Sequence, residues 1–458
     1  MSWSRWPLAI LCGSTLWFLY FFGLTRTGLL GPDEPRYAAI GRAMAQTGDW
    51  ITPRLWGHAW FEKPALLYWM TAAAFKAGLG PELAPRLPVA LVSLAFLLYF
   101  FFALRKEFGQ RPAFFGALIL ATSIGWLAYS HVATPDLPMS AAFSAAMLML
   151  LPAPPASTRR SITAGVLLGL SILAKGLVPL VLFIPALWFL RRQKRALLVI
   201  LAVAFVVAAP WYILVAFRNG AAFSDEFFGH QQFARFFGGE TLHIQPVWFY
   251  LPILAAGLFP WTPLALLLFS RKLYQDRRTM LLAAWFVFGF VFFSASRGKL
   301  PGYLLPLLPP VAALLGIAIE RTRLRSSFFV CLAGLSAALL WLVPTAQDAL
   351  PDALVSGLGR APVHFFTAWL VPAMILALIC VLLDVRGHRV TSLALIALLN
   401  TVLIARFIWQ EFPRLDQDVS ARGRWTASSE SITCIPQDGA FFRNGLNYYA
   451  GRELVDCH

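Results

Sequence analysis

The 458-residue chain is 59% hydrophobic and only 13% charged, with 39 Phe and 17 Trp. A soluble domain cannot hide that much apolar surface, so the composition excludes a string of globular domains and points to a polytopic helical membrane protein. The net charge of +16 does not call for a nucleic-acid partner, because its distribution along the chain follows membrane topology.

Apolar windows of roughly 17 to 25 residues are long enough to cross a bilayer. They predict thirteen spans in chain order: Trp6–Gly23, Arg86–Leu104, Ala113–Ser130, Leu137–Leu151, Ile162–Leu173, Leu177–Leu190, Ala196–Phe217, Val247–Phe269, Met280–Ala295, Tyr303–Ile319, Phe328–Val343, His364–Leu383 and Val390–Trp409. Ala65–Phe75 is apolar but brief and ends at Lys76, which predicts an interfacial or re-entrant helix within the first long loop. The first span begins basic, yet Trp17, Phe18, Tyr20 and Phe21 make a poor signal peptide and no small-residue cleavage site follows, so it is expected to be retained. The expected fold is an all-α polytopic bundle over residues 1–409. A small polar unit of mixed or strand character follows at 410–458, with turn signals at Gln437-Asp438-Gly439 and Asn444-Gly445.

With the N-terminus inside, the inner segments hold 19 of the 38 Lys and Arg but only the acids Glu107, Asp276, Glu320 and Asp384. This is a strong positive-inside bias. It puts the 26–85 loop, the 218–246 loop and the tail from Gln410 outside. Cys12, Cys331 and Cys380 fall within spans, where lone thiols usually pack. Cys434 and Cys457 share the outer tail, where they either pair as a staple or stay free.

The first outer loop is the densest polar segment next to the membrane. Asp33-Glu34 stands between Pro32 and Pro35 and precedes Arg36-Tyr37, a pattern that opens a helix with Pro in its first turn and acids at its positive end. Taken alone, the acids read as a helix start. Glu62-Lys63-Pro64 then returns an acid and a cation to the membrane surface, Asp136 opens the fourth span, Lys175 follows the fifth, and Arg297 and Lys299 precede the tenth. All share the outer level. Snorkelling explains any one cation, but it does not predict paired acids at the same depth. Carboxylates facing a cation cluster suit a phosphate-linked lipid: Lys63, Arg36 and Arg297 or Lys299 to neutralise the phosphate, and Asp33 as a base or to orient the acceptor.

The string PDEPRYAAIGRAMAQTGDWITPRLWGHAWFEKPALLYW resembles the first periplasmic loop of the 4-amino-4-deoxy-L-arabinose transferases of lipid A. These belong to the GT-C superfamily, which also contains protein O-mannosyltransferases. TPDLP, LAKGLVPL, HIQPVWFYLPIL, GLFPWTPL and KLPGYLLPLLPP are similar to later blocks of that family, in the same order. The resemblance implies a GT-C bundle and an inverting transferase that takes a sugar from an undecaprenyl-phosphate donor at the periplasmic face. It implies Asp33 and Asp136 as catalytic carboxylates and Arg36, Lys63 and Tyr303 as donor-phosphate contacts. For a divalent metal it implies Glu62; the family's later Glu-His pair is replaced by GHQQFARFF from Gly229, which leaves His230 as the second ligand.

The reading is therefore a glycosyltransferase, with aminoarabinose and lipid A as the first choice of sugar and acceptor. A protein or another envelope glycan is the alternative acceptor within the class. A lipid or ion transporter is the alternative outside it, and the gathering of charge at one face rather than at the midplane argues against that.

Overall fold

The structure, a computed structural model, describes residues 5–152, 157–227, 229, 244–321, 370–428, 431–435 and 441–457. The expected span Phe328–Val343 and the candidate ligand His230 lie outside the described residues. Among the described residues, five helices are long and apolar enough to cross a membrane, or up to seven if two bent pairs each count as one span.

After α1 (Arg5–Phe21) the chain leaves the bundle and forms α2 (Asp33–Thr47), a two-stranded hairpin of β1 (Arg54–Leu55) and β2 (His58–Ala59), and α3 (Leu66–Lys76). Trp56 and Gly57 adopt φ of 52° and 87°, the left-handed pair that a two-residue hairpin turn requires. At 11 residues, α3 is too short to span a bilayer, in line with an interfacial helix. The bundle proper continues with α4 (Leu83–Phe108), α5 (Gln110–Thr122), α6 (Ile124–Ser130), α7 (Asp136–Leu148), α8 (Thr158–Lys175), α9 (Val178–Leu182), α10 (Ile184–Leu190) and α11 (Lys194–Asn219). Gly165 and Gly169 of α8 let α11 approach closely: a Cβ there would stand 2.7 Å from the Ile200 carbonyl and 2.9 Å from that of Ala204.

The expected span 177–190 divides at Phe183 into α9 and α10, and two more bend sharply at their breaks. Residues 113–130 divide at Ser123, where α5 and α6 bend by 59°. Residues 247–269 divide into α13 (Tyr250–Gly257), numbered after the short α12 (Ala221–Ser224), and a 3-10 segment Thr262–Phe269, at 114°. Pro260 and Pro263 lack the N–H groups that would carry a helix through the second break. The breaks nest against one another: the Ile124 N–H donates to the Phe259 carbonyl at 3.1 Å, and Trp261 Nε1 donates to Thr122 Oγ1 at 2.9 Å. Backbone groups freed inside the bundle thus regain partners.

Beyond α14 (Arg277–Ala295), a 3-10 turn Pro301–Leu307 leads into α15 (Leu308–Arg321), which is sealed inside the bundle against α5 and α14. After α16 (Leu370–Val385), α17 (Arg389–Val419) runs without interruption through the expected boundary at 409/410. The tail adds α18 (Ala421–Ala427), β3 (Cys434–Ile435), α19 (Arg443–Ala450) and β4 (Val455–Asp456). β3 and β4 pair in parallel, and Cys434 and Cys457 form a disulfide. Rather than standing apart, the tail grips the segment that leads into α2. Gly28 N donates to Asp416 Oδ1 at 2.5 Å, Leu29 N to the Tyr449 hydroxyl at 3.0 Å, and Asn444 Nδ2 to the Pro32 carbonyl at 2.9 Å.

Candidate active site

α2 presents its first turn to the site. Its N-cap, Pro32, offers no side-chain cap, and Asp33 turns instead to Arg36, accepting from Nη2 at 2.6 Å. The same nitrogen lies 2.9 Å from Glu62 Oε2, and Lys63 Nζ lies 3.1 Å from Glu62 Oε1. Four of the residues expected from sequence thus alternate in charge as Asp33, Arg36, Glu62, Lys63. Burial works to lower the pKa of Arg36, but Glu62, Tyr37 and Asp33 outweigh it and hold the guanidinium ionised, above its ordinary value. Arg36 Nε is buried with no hydrogen-bond partner among the described residues. Beneath the cluster, burial first and then Glu62 and Asp33 push the hydroxyls of Tyr37 and Tyr68 well up, so both stay neutral.

A second cluster forms where α7, α8 and the 301–307 turn meet. Asp136 sits at the positive end of α7 and Lys175 in the last turn of α8, each favourably placed for its helix dipole. The two make an ion pair, and the Lys175 ammonium stands 4.5 Å over the Tyr303 ring. Gly302 permits the contact, because a Cβ there would lie 2.8 Å from both Asp136 Oδ1 and the Tyr129 hydroxyl. The Tyr129 hydroxyl therefore borders this second cluster, across Gly302 from Asp136. No motif in the sequence marks Tyr129; it sits in an ordinary aromatic-rich span. Lys175 was visible there as an outer cation without a partner.

Two candidates are spent elsewhere or stand apart. Lys299 is only 3% exposed, and its ammonium binds the carbonyls of Gln245 at 3.0 Å and Ser296. It ties the chain before α13 to the 296–300 loop, beside the bridge between Ile244 and Gly298. Two of the three ammonium donors are thus taken by backbone oxygens, which anchors Lys299 to this loop. Arg297 is exposed on that loop, and no contact among the described residues draws it to either cluster.

Glu62 fits a cation bracket better than a metal site. One of its oxygens faces Arg36 and the other Lys63, so a divalent ion there would meet two positive charges at close range. Among the described residues no three His, Cys, Asp or Glu side chains gather to hold a metal. Glu34, next to Asp33, was read only as part of an acid pair. It is sealed from solvent in a bidentate pair with Arg86, at 2.6 and 2.7 Å.

Residues 62–214 match the family described as dolichyl-phosphate-mannose-protein mannosyltransferase. The undecaprenyl phosphate-alpha-4-amino-4-deoxy-L-arabinose arabinosyl transferase of Pseudomonas aeruginosa is 36% identical over 333 residues, covering 67% of this chain and 59% of that protein. The relative of the same name from Aeromonas salmonicida is 33% identical over 337 residues, with 69% and 60% covered. The chain thus spans about three fifths of the length of these relatives. The crystal structure of ArnT from Cupriavidus metallidurans bound to undecaprenyl phosphate superposes with a TM-score of 0.79 at 26% identity, over 98% of this chain and 85% of that one. The archaeal oligosaccharyltransferase AglB from Archaeoglobus fulgidus shares the fold at a TM-score of 0.51 and 14% identity, over 87% of this chain and 56% of its own.

Proposed function

Because the chain belongs to the lipid A aminoarabinose transferase-like proteins of the GT-C superfamily, we propose that it moves 4-amino-4-deoxy-L-arabinose from undecaprenyl phosphate to a lipid A phosphate. The observation that supports this reading is a pair of carboxylate–cation clusters, Asp33–Arg36–Glu62–Lys63 and Asp136–Lys175–Tyr303, on elements joined by the bond from the Ala133 N–H to Glu34. A phosphate-linked donor needs cations at its leaving group and oriented oxygens at its acceptor, and the clusters supply both kinds of group.

Arg36 and Lys63 receive the donor phosphate, and the unpartnered Arg36 Nε is a ready donor to one of its oxygens. An acceptor phosphate oxygen bonds to the anomeric carbon as the bond to the undecaprenyl phosphate oxygen breaks, and the electron pair leaves with that phosphate, inverting the centre. A phosphate monoester with a second pKa near 6 is largely ionised at neutral pH. Asp33 and Asp136 therefore act by orienting the sugar and the cations rather than by removing a proton. Only a hydroxyl acceptor would require Asp33 as a base.

The site is read as facing the periplasm from an inner-membrane protein. The basic inner loops support this, and so does the disulfide in the tail that packs on the α2 segment, since disulfides persist in oxidising compartments. Mass spectrometry of lipid A and other envelope glycans from cells with and without the gene tests the assignment. Gene-dependent addition of aminoarabinose to a lipid A phosphate is the expected result. An unchanged lipid A beside an altered glycan would reassign the acceptor.

A further inference from the structure

Glu34 does more than bury a charge. We infer that it is a positioning residue that holds Asp33 and Asp136 in register with one another. Its carboxylate accepts four hydrogen bonds, each from a different place in the chain or a different nitrogen. Arg86 gives Nε to Oε1 and Nη2 to Oε2 at 2.6 and 2.7 Å, the Leu30 N–H reaches Oε2 at 2.7 Å, and the Ala133 N–H reaches Oε1 at 2.9 Å. Arg86 spends its remaining donors on carbonyls of the turn after α1: Leu24 and Thr27 at 2.7 Å and Gly28 at 2.8 Å. All five N–H groups of the guanidinium are thereby used.

Glu34 follows Asp33 in the first turn of α2. Ala133 opens the short link Ala133-Thr134-Pro135 that delivers Asp136 to the start of α7. One carboxylate thus joins the two elements that carry the site's acids, and a buried arginine locks both to the turn that the tail grips. With side-chain exposures of 2% for Arg86 and 0% for Glu34, the pair pays a desolvation penalty that a well-packed apolar pair would avoid. Four separate segments converge on it, which is what a device for fixing register needs and a simple core contact does not.

This inference rests on the transferase reading, and its test separates the two. Purified full-length parent, Glu34→Gln, Asp136→Asn and the double variant are compared for single-turnover sugar transfer, thermal unfolding and affinity for a short-chain polyprenyl phosphate. Transfer by the parent reports on the function reading by itself. The Glu34 inference expects Glu34→Gln to bind the lipid phosphate within about twofold of the parent while transferring about tenfold or more slowly. In the Asp136→Asn background the same change should cost less than about twofold, because misplacing an acid that has been removed has no further effect. An equal loss in both backgrounds, or parent-like transfer by Glu34→Gln, overturns it. Should Glu34→Gln fail to accumulate, the same cycle is run with Glu34→Asp, which keeps the charge but is too short to reach Arg86 and the Ala133 N–H together.

Discussion

Asp33 and Glu34 are chemically near-identical neighbours with opposite surroundings. The Asp33 side chain is 48% exposed and that of Glu34 0%. Their arginines differ in the same way: Arg86 has no unused donor, whereas Arg36 keeps a buried Nε without a partner. Residue type therefore says little about role at this loop. The count of satisfied hydrogen bonds separates the sealed acid, proposed to position the site, from the exposed one proposed to act in it.

The largest effect expected from breaking this contrast falls on the sealed pair. Arg86→Ala leaves a buried carboxylate uncompensated, which typically costs about 3–5 kcal/mol, and frees three carbonyls of the 24–28 turn. Thermal unfolding in detergent should drop sharply, or the protein should not accumulate. Arg36→Ala leaves Asp33 to solvent and Glu62 with Lys63 as a remaining cation, so its stability loss should be smaller than that of Arg86→Ala, while lipid-phosphate binding falls. Equal destabilisation by the two changes would erase the distinction.

Within the working cluster, Asp33→Asn keeps the shape and removes the charge. Folded protein should be as abundant as the parent, because Asp33 provides no cap to α2. Transfer should fall at least about tenfold, equivalent to roughly 1.4 kcal/mol of barrier. Near-parent turnover would return Asp33 to a role at the helix start. Lys63→Ala should weaken binding of a short-chain polyprenyl phosphate as well as slow transfer, because negative charge grows on the departing phosphate. Lys63→Arg should restore only part of either, since a planar fork does not reproduce a compact ammonium. Parent-like affinity in both Lys63→Ala and Arg36→Ala would move the phosphate toward Lys175.

The membrane class, the short apolar helix of the first loop and the gathering of its acids with cations were legible in the sequence, because they depend on local hydropathy and on charges too costly to leave without purpose. The partner of Glu34 was not. Arg86 lies 52 positions away and looked like the polar edge of a span, and nothing local reveals that its five N–H groups are all taken by two carboxylate oxygens and three carbonyls. The anchoring of Lys299 was hidden for the same reason, since its carbonyl partners carry no side-chain signature. The broken span at 247–269 did leave a trace in Pro260 and Pro263. The break at Ser123 did not, because the group that satisfies it, the Phe259 carbonyl that accepts from the Ile124 N–H, comes from across the bundle.

The smallest effect is expected at the tail, which sharpens the difference between holding a loop and closing a fold. Cys434→Ser with Cys457→Ser opens a loop whose ends are 23 residues apart. On the chain-entropy account, such a cross-link is worth about 3 kcal/mol to the segment it closes. That segment is the outer part of the tail. Of the bonds that reach the segment before α2, those from Asp416 on α17 and Arg422 on α18 come from outside the closed loop, while those from Asn444 and Tyr449 come from α19 within it and none comes from β3 or β4. Asp416 is held in addition by Arg422 at 2.8 Å and Ser420 at 2.6 Å, so its grip on Gly28 does not depend on the disulfide. The double serine variant should therefore be cut faster by protease within residues 428–457 while its transfer stays within about twofold of the parent, as expected when local opening is confined to one unit. A loss of transfer as deep as that of Asp33→Asn would mean that the stapled strands, and not only the helices, hold the first turn of α2 in place.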